Sequence, residues 1–409
     1  MKKLATSTLQ IVCAMLVFTD VAHAQASTPP RAAPNLRSGL ARQIRDSISF
    51  VLRAALDDRA FPGAYAVVGD SRGILAEFSV GHLDWSKSPR PDRHTLWDLA
   101  SLTKVLGTTT ALAQLIEGGK VELNAPVQRY VPDWIGAGKE SVTVRHLLTH
   151  TSGLPSFRPY DQQTHNADTL AAMIFNTALE RSPGDSMVYS DMGAFMMGRV
   201  IENVSGQRLD KYLAMHVFRP LRMNETMFNP PRSLRARVAP TEFDSTRGGL
   251  VRGKVHDERA YYLGGVAAHA GLFSSAADVS RFGSMLLHHG MLEGKRILRA
   301  ETLEQFTAYA DSGRSNRALG WEKPPAAWAG GASQGPPSLM SSRAFGHTGF
   351  TGTSIAIDPE LDLYIILLSN RVNPTRNNPK ISAVRRRLAD AVVSVVRTRR
   401  GPTLNAEHP

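Results

Sequence analysis

The runs that read as β-strands fall in two groups at opposite ends of the chain. Residues 64–68 and 74–80 form one group; 345–347, 352–357 and 363–369 form the other. Between them, from 96 to about 262, apolar residues recur with helical spacing, with separate segments at 143–149, 168–179 and 192–203. Strands so far apart in sequence can share a sheet only if the chain leaves it, builds helices and returns. The pattern predicts the α/β (α+β) class: one discontinuous α/β domain, residues 37–95 and 263–400, with an inserted all-helical domain, residues 96–262. Helical periodicity at 40–56 and 381–396 brackets the whole, and Ser275 to Asp278 fits a capping box opening a further helix.

The two ends lie outside this plan. Lys2 and Lys3, an apolar run over 9–18 and the small residues Ala22 and Ala24 read as a secretory signal peptide over 1–24. Cleavage near Ala24 would deliver the chain to the periplasm or the exterior, with no stable membrane anchor. Residues 25–36 are Pro/Ala/Ser-rich and read as a disordered lead-in, and 401–409 as a tail. The one cysteine, Cys13, falls within the leader, so core burial rather than a disulfide must hold the fold. The formal charge of +12 would suit a nucleic-acid partner, but no nucleic-acid motif accompanies it and none is expected. The densest basic cluster, Arg385, Arg386, Arg387, Arg397, Arg399 and Arg400, reads as the solvated face of the last helix. A Pro/Gly/Ser-rich loop at 322–342 is long enough to be a flap or a plain insertion.

Chemistry concentrates at 96–116, which reads as one amphipathic helix stopped by Gly118 and Gly119. Ser101 and Lys104 share a face of its first turn, placing an amine beside a hydroxyl at a helix N-terminus. Two other patterns compete. Gly69 to Gly73 matches G-x-S-x-G around Ser71, but a strand rather than a helix follows, so a hairpin turn is expected. His146 and His150 have the spacing of a zinc pair. They lack an intervening Glu and a third ligand cluster, so a structural histidine pair is expected.

Two short motifs follow Ser101 in order. Tyr189-Ser190-Asp191 lies between a Pro183-Gly184 turn and a helix, where Asp191 could serve as an N-cap; His347-Thr348-Gly349 ends a late strand. The set S-x-x-K, Y-x-D and H-T-G resembles the S-x-x-K, Y-x-N and K-T-G signatures of the penicillin-binding protein and serine β-lactamase superfamily. Flanking stretches such as LLTHTSGLP and GHTGFTGTSIAIDPELDLYIILLSNR look like its class C-type branch, and the likeness runs from about 40 to 396.

The resemblance implies a β-lactamase/transpeptidase-like fold, with an antiparallel sheet flanked by helices, and an acyl-enzyme formed on Ser101. Lys104 would help take the serine proton, its own pKa lowered by burial and nearby cations. Tyr189 would relay that proton. The backbone N–H groups of Ser101 and Phe350 would form the oxyanion hole, and Asp191, His347, Thr348 and Gly349 would contact substrate. No metal or organic cofactor is implied. Two departures from the family pattern bear on the substrate: Asp191 replaces an amide with a carboxylate, and His347 replaces a permanent cation with a group mostly neutral at pH 7. Capture of an anionic β-lactam should suffer. The expected activity is that of an esterase, D-aminopeptidase or D,D-carboxypeptidase acting on a small or peptidoglycan-derived substrate, with weak or no β-lactamase turnover. The competing reading is a catalytically weak protein that binds peptidoglycan or a partner.

Overall fold

The computed structural model describes residues 34–86, 88–310, 315–324 and 339–400. The leader, residues 25–33 of the lead-in, residues 325–338 of the long loop and the 401–409 tail lie outside the described residues. Helix α1 spans Pro34–Asp57, so the end of the expected lead-in is already helical. Strands β1 (Gly63–Asp70) and β2 (Gly73–Gly81) follow as a hairpin. Helices α2 (Thr110–Glu117), α3 (Asp191–Ser205) and α4 (Ala276–Leu287) belong to the middle of the chain. Strands β3 (Phe345–Thr348), β4 (Ser354–Asp358) and β5 (Leu363–Ser369) precede helix α5 (Ile381–Arg400).

The five strands form one sheet in the order β3-β4-β5-β1-β2, with every neighbouring pair antiparallel. The two distant strand groups meet at β1 and β5, where Ala66 lies opposite Leu367. Both strands are buried along their whole length, so their alternate residues feed two separate cores. Ala64, Ala66, Val68, Ile365 and Leu367 pack under α1 and α5; Tyr65, Val67, Ile366 and Leu368 face the opposite way, toward α4 and the helical region. Each fully buried aliphatic side chain contributes about 1.5–3 kcal/mol. A chain whose only cysteine is Cys13 relies on that burial. No described helix is long and apolar enough to cross a membrane.

Two local expectations change. Residues 96–100 are not helical: Trp97 and Asp98 form a short strand paired with Ser274 and Phe273. The helix starts only beyond Ser101, as a π-helical segment Lys104–Thr109 that continues into α2. Tertiary pairing has overridden a helical sequence pattern. Arg385 also departs from its expected solvated face. It is buried, and its Nη2 donates to the carbonyls of Gly349 (2.6 Å) and Thr353 (2.9 Å). Its neighbours Arg386 and Arg387 are exposed.

The competing motifs are structural. Ser71 sits in the β1–β2 turn, its N–H and Oγ both donating to the Asp362 carboxylate at 2.9 Å. His146 Nδ1 accepts the Thr143 N–H in the capping box of the helix Val144–Leu148. His150 Nδ1 instead accepts the Ser190 N–H at 3.0 Å. The two histidines thus support different pieces of backbone.

Candidate active site

Ser101 projects from a backbone that is held from several sides. Ala100, just before it, has φ +46°, a left-handed conformation costing a non-glycine residue about 1–3 kcal/mol unless its surroundings enforce it. Those surroundings are the buried Asp98 carboxylate, which accepts the N–H groups of Ala100 (2.8 Å) and His256 (2.6 Å). Burial pushes this carboxyl's pKa up, against the opposing pull of those N–H bonds. The segment after His347-Thr348-Gly349 is pinned to the same stretch. Thr351 Oγ1 donates to the Asp98 carbonyl (2.7 Å) and Thr353 Oγ1 to the Leu99 carbonyl (3.0 Å). Gly349 permits this approach, since a Cβ there would lie 2.2 Å from Thr353 Oγ1 and 2.3 Å from the Leu99 oxygen. Arg371 Nε, donating to the Phe350 carbonyl at 2.7 Å, holds the turn from the other side. Among the described residues, neither the Ser101 nor the Phe350 backbone N–H finds a hydrogen-bond partner.

Lys104 is buried; its ammonium donates to Ser101 Oγ (3.0 Å) and the His269 carbonyl (3.0 Å) and forms an ion pair with Asp191 Oδ1 (2.8 Å). Burial pushes its pKa down, but the Asp191 carboxylate and Tyr189 outweigh burial and the net shift is upward. The expected depressed lysine is therefore corrected: Lys104 stands as a fixed cation at neutral pH. The Asp191 carboxylate, where the family motif has an amide, is the first of the raising causes.

Tyr189 and Asp191 reach Lys104 from the start of α3. Ser190, not Asp191, is the N-cap: its Oγ accepts the Gly193 N–H (3.0 Å) and donates to the Pro155 carbonyl (2.6 Å). That frees the Asp191 side chain for the site. The Tyr189 ring lies against His150, with centroids 4.6 Å apart. Lys104 Nζ stands 4.9 Å and the Arg317 guanidinium 5.2 Å from its centroid. Its Oη is buried without a hydrogen-bond partner among the described residues. His150, with φ +58°, is held neutral by burial and by the nearby Arg317 and Lys104. The zinc-like histidine is thus a prop for the tyrosine.

His347 is buried, its Nδ1 donating to the Thr348 carbonyl at 2.9 Å. Burial first, then Arg317 and Lys104, hold it well below the usual histidine range, so it carries no charge at pH 7. It faces Tyr189 at 6.0 Å between centroids. The structure therefore brings Ser101, Lys104, Tyr189 and Asp191 into contact and sets Phe350 beside them. His347 and Gly349 lie behind the surface, and Thr348 is half-buried at the strand end.

A cleft of about 850 Å³ opens over Ser101. Half-exposed Phe157, Phe243 and Phe350 line it. Its charged lining is acidic, with Asp161, Asp191, Glu242, Asp244, Asp257 and Glu258 against Arg259 and Arg376, although the whole chain is strongly basic. Both arginines are paired to carboxylates, Arg259 to Asp191 and Asp257, and Arg376 to Glu242 and Glu258.

Sequence reasoning missed Asp257, Arg259 and His269. Asp191, Asp257 and His269 offer ligand atoms within 4.8 Å of one another, spacing that could hold a metal ion. The chain's own cations already meet these groups: Lys104 contacts Asp191, and Arg259 contacts both aspartates. The donor set is matched by lysine and arginine rather than by a divalent ion.

Comparison with known proteins agrees with the geometry. The β-lactamase family model matches residues 49–390. A protein of Salmonella agona named "Putative D-alanyl-D-alanine carboxypeptidase" is 32% identical over 318 residues, 71% of this chain and 72% of its own length. A protein of the same name from Salmonella enteritidis is 33% identical over 322 residues, 72% of this chain and 73% of its own. Among solved structures, EstCE1, "a hydrolase with promiscuous acyltransferase activity", superposes with TM-score 0.69 at 20% identity, covering 86% of this chain and 99% of its own. A penicillin-binding protein homologue from Caulobacter crescentus gives 0.68 at 20% identity, covering 86% and 97%. The chain belongs to the β-lactamase family, within the superfamily of serine β-lactamases and penicillin-binding proteins. Its fold is β-lactamase/transpeptidase-like, and it is a serine hydrolase of that family.

Proposed function

We propose that this chain is an exported hydrolase that forms an acyl-enzyme on Ser101 and acts on esters or peptide-like amides, with little turnover of β-lactams. The observation that carries the reading is the Lys104 ammonium 3.0 Å from Ser101 Oγ, beside a backbone N–H left without a partner. Ser101 Oγ attacks the substrate carbonyl carbon, and the developing oxyanion is met by the N–H groups of Ser101 and Phe350. Tyr189, whose buried Oη is uncommitted, relays the serine proton: its Oη accepts that proton as its own passes to the departing nitrogen or oxygen and the acyl bond breaks. Lys104, hydrogen-bonded to Ser101 Oγ and the His269 carbonyl and paired with Asp191, holds Ser101 beside Tyr189. A water then attacks the ester through the same groups in reverse, releasing the acid and restoring Ser101.

The cleft favours substrates without negative charge. His347 is neutral and both lining arginines are neutralised by carboxylates, so a substrate carboxylate meets a net acidic surface. We rank neutral esters and D-amino-acid amides above D-alanyl-D-alanine peptides, which the names of the relatives bring into consideration, and β-lactams last. A kinetic panel of these four classes, run with Ser101→Ala and a fluorophosphonate label, tests the reading. Labelling and hydrolysis lost in Ser101→Ala support it. Hydrolysis that survives Ser101→Ala, or efficient nitrocefin turnover by the intact protein, contradicts it.

A further inference from the structure

The polar groups behind Lys104 close on themselves. Lys104 Nζ pairs with Asp191 Oδ1 (2.8 Å), and Asp191 Oδ2 accepts from Arg259 Nη2 (3.2 Å). The same Nη2 reaches Asp257 Oδ2 (2.9 Å), Asp257 Oδ1 bonds His269 Nε2 (3.0 Å), and the His269 carbonyl returns to Lys104 Nζ (3.0 Å). Five residues drawn from three distant parts of the chain form a ring. Asp257 is further fixed as the N-cap of the helix Glu258–Tyr262, accepting the Ala260 N–H at 2.8 Å, and the Arg259 guanidinium lies 5.0 Å from the Phe157 ring centroid.

The ring solves a problem created by Asp191. A carboxylate at this position brings a half-buried negative charge beside a second one, Asp257, with ligand atoms within 4.8 Å. Like charges this close cannot both stay ionised without a cation between them. Left to itself, the pair would take up a proton, and Asp191 would no longer hold Lys104 against Ser101. One guanidinium nitrogen bridging both carboxylates removes that conflict and leaves Asp191 Oδ1 free for Lys104.

We propose that Arg259 is a positioning residue for the Ser101 reaction, bridging Asp191 and Asp257 so that an aspartate can occupy the place where the family motif has an amide. The inference rests on the Ser101–Lys104–Tyr189 reading of the site. The groups that face Asp191 are Lys104, His269, Arg259 and Asp257, and Asp161 faces Arg259 from the cleft wall. Tyr189, His150, His347 and Arg317 surround the Lys104 side. Asp191 and Asp257 are both held below the usual carboxylate range against desolvation, Asp191 by Lys104 first and then His269 and Arg259, Asp257 by His269 first and then Arg259.

The test is the pH profile of kcat/KM for a neutral chromogenic ester in four proteins: wild type, Arg259→Gln, Arg259→Lys, and Arg259→Gln with Asp257→Asn. Circular dichroism and Tm establish that each is folded. Arg259→Gln should move the acid limb upward by about one pH unit or more, a tenfold or larger loss measured within the old limb. Arg259→Lys should keep most of the wild-type profile, and removal of the second carboxylate in the double variant should return the limb toward its original position. An unmoved limb in folded Arg259→Gln, or a double variant as displaced as the single one, overturns the inference. If Ser101→Ala keeps wild-type hydrolysis, the functional reading itself fails; an unmoved limb with an inactive Ser101→Ala sinks only the role of Arg259.

Discussion

Adding one methyl group at Gly349 should separate the two halves of the proposed oxyanion site. Gly349 does not lie in the left-handed region, so alanine brings no dihedral strain and its effect is purely one of contact. The new Cβ would stand 2.2 Å from Thr353 Oγ1 and 2.3 Å from the Leu99 carbonyl oxygen, where ordinary contact begins near 3.4 Å. Backbone cannot rotate out of the way as a side-chain tip can, so relief needs a shift of roughly 1 Å between the Phe350 turn and the Leu99–Ser101 segment. A displacement of that size costs about 10²-fold in rate, and loss of an oxyanion donor about 10²- to 10³-fold. The Thr353–Leu99 bond would be lost with it, about 1 kcal/mol of stability. Steady-state kinetics on a neutral ester should show Gly349→Ala with kcat down about 100-fold, KM nearly unchanged, and Tm lowered by only a few degrees. A variant within threefold of wild-type kcat at native Tm would refute the account of how Phe350 is positioned.

Two further outcomes are expected. Tyr189→Phe removes the uncommitted buried hydroxyl and should lower kcat by about 10²- to 10⁴-fold while the fluorophosphonate label is still accepted, at a reduced rate, by Ser101. Asp278 supplies a pH signature of the fold: burial pushes its carboxyl up to about 6 from an ordinary 3.8, so between those values the native state holds a proton that the unfolded chain has released. Stability should therefore fall as pH rises from about 4 to about 6. Relative to Asp278→Asn, which lacks that titration, the wild type should lose on the order of 3 kcal/mol across the window. Urea unfolding at pH 4 and pH 8 reads the difference, and equal pH dependence in the two proteins contradicts it.

What was legible in the sequence was what depends on local period. Short apolar, β-branched runs marked β1 and β5, helical spacing and a capping box marked α3 and α4, and the three-residue step from Ser101 to Lys104 already put amine beside hydroxyl. What was not legible depends on distant partners. Residues 96–100 have a helical pattern but pair with Phe273 and Ser274 far along the chain. Ser190 and Asp191 are both good N-caps by type. Only the Pro155 carbonyl and the Lys104 ammonium, neither adjacent in sequence, decide between them. The upward pull on Lys104 comes first from the same contact. Arg259, Asp257 and His269 carry no motif at all, since a ring closed through Lys104 and Asp191 leaves no spacing to read.

The pairing of β1 with β5 has a consequence for when the protein can act. Ser101 leaves the ribosome long before the Phe350 turn, its threonine pins and Arg385 are made. Until then the sheet lacks three of its five strands, and contacts of such large sequence separation form late in folding. The nascent chain thus carries Ser101, the proposed nucleophile, without the proposed second oxyanion donor, and the geometry proposed to be reactive arrives only once residues 345–385 are made. On the proposed reading, synthesis order itself keeps Ser101 quiet until β3, β4 and β5 are made.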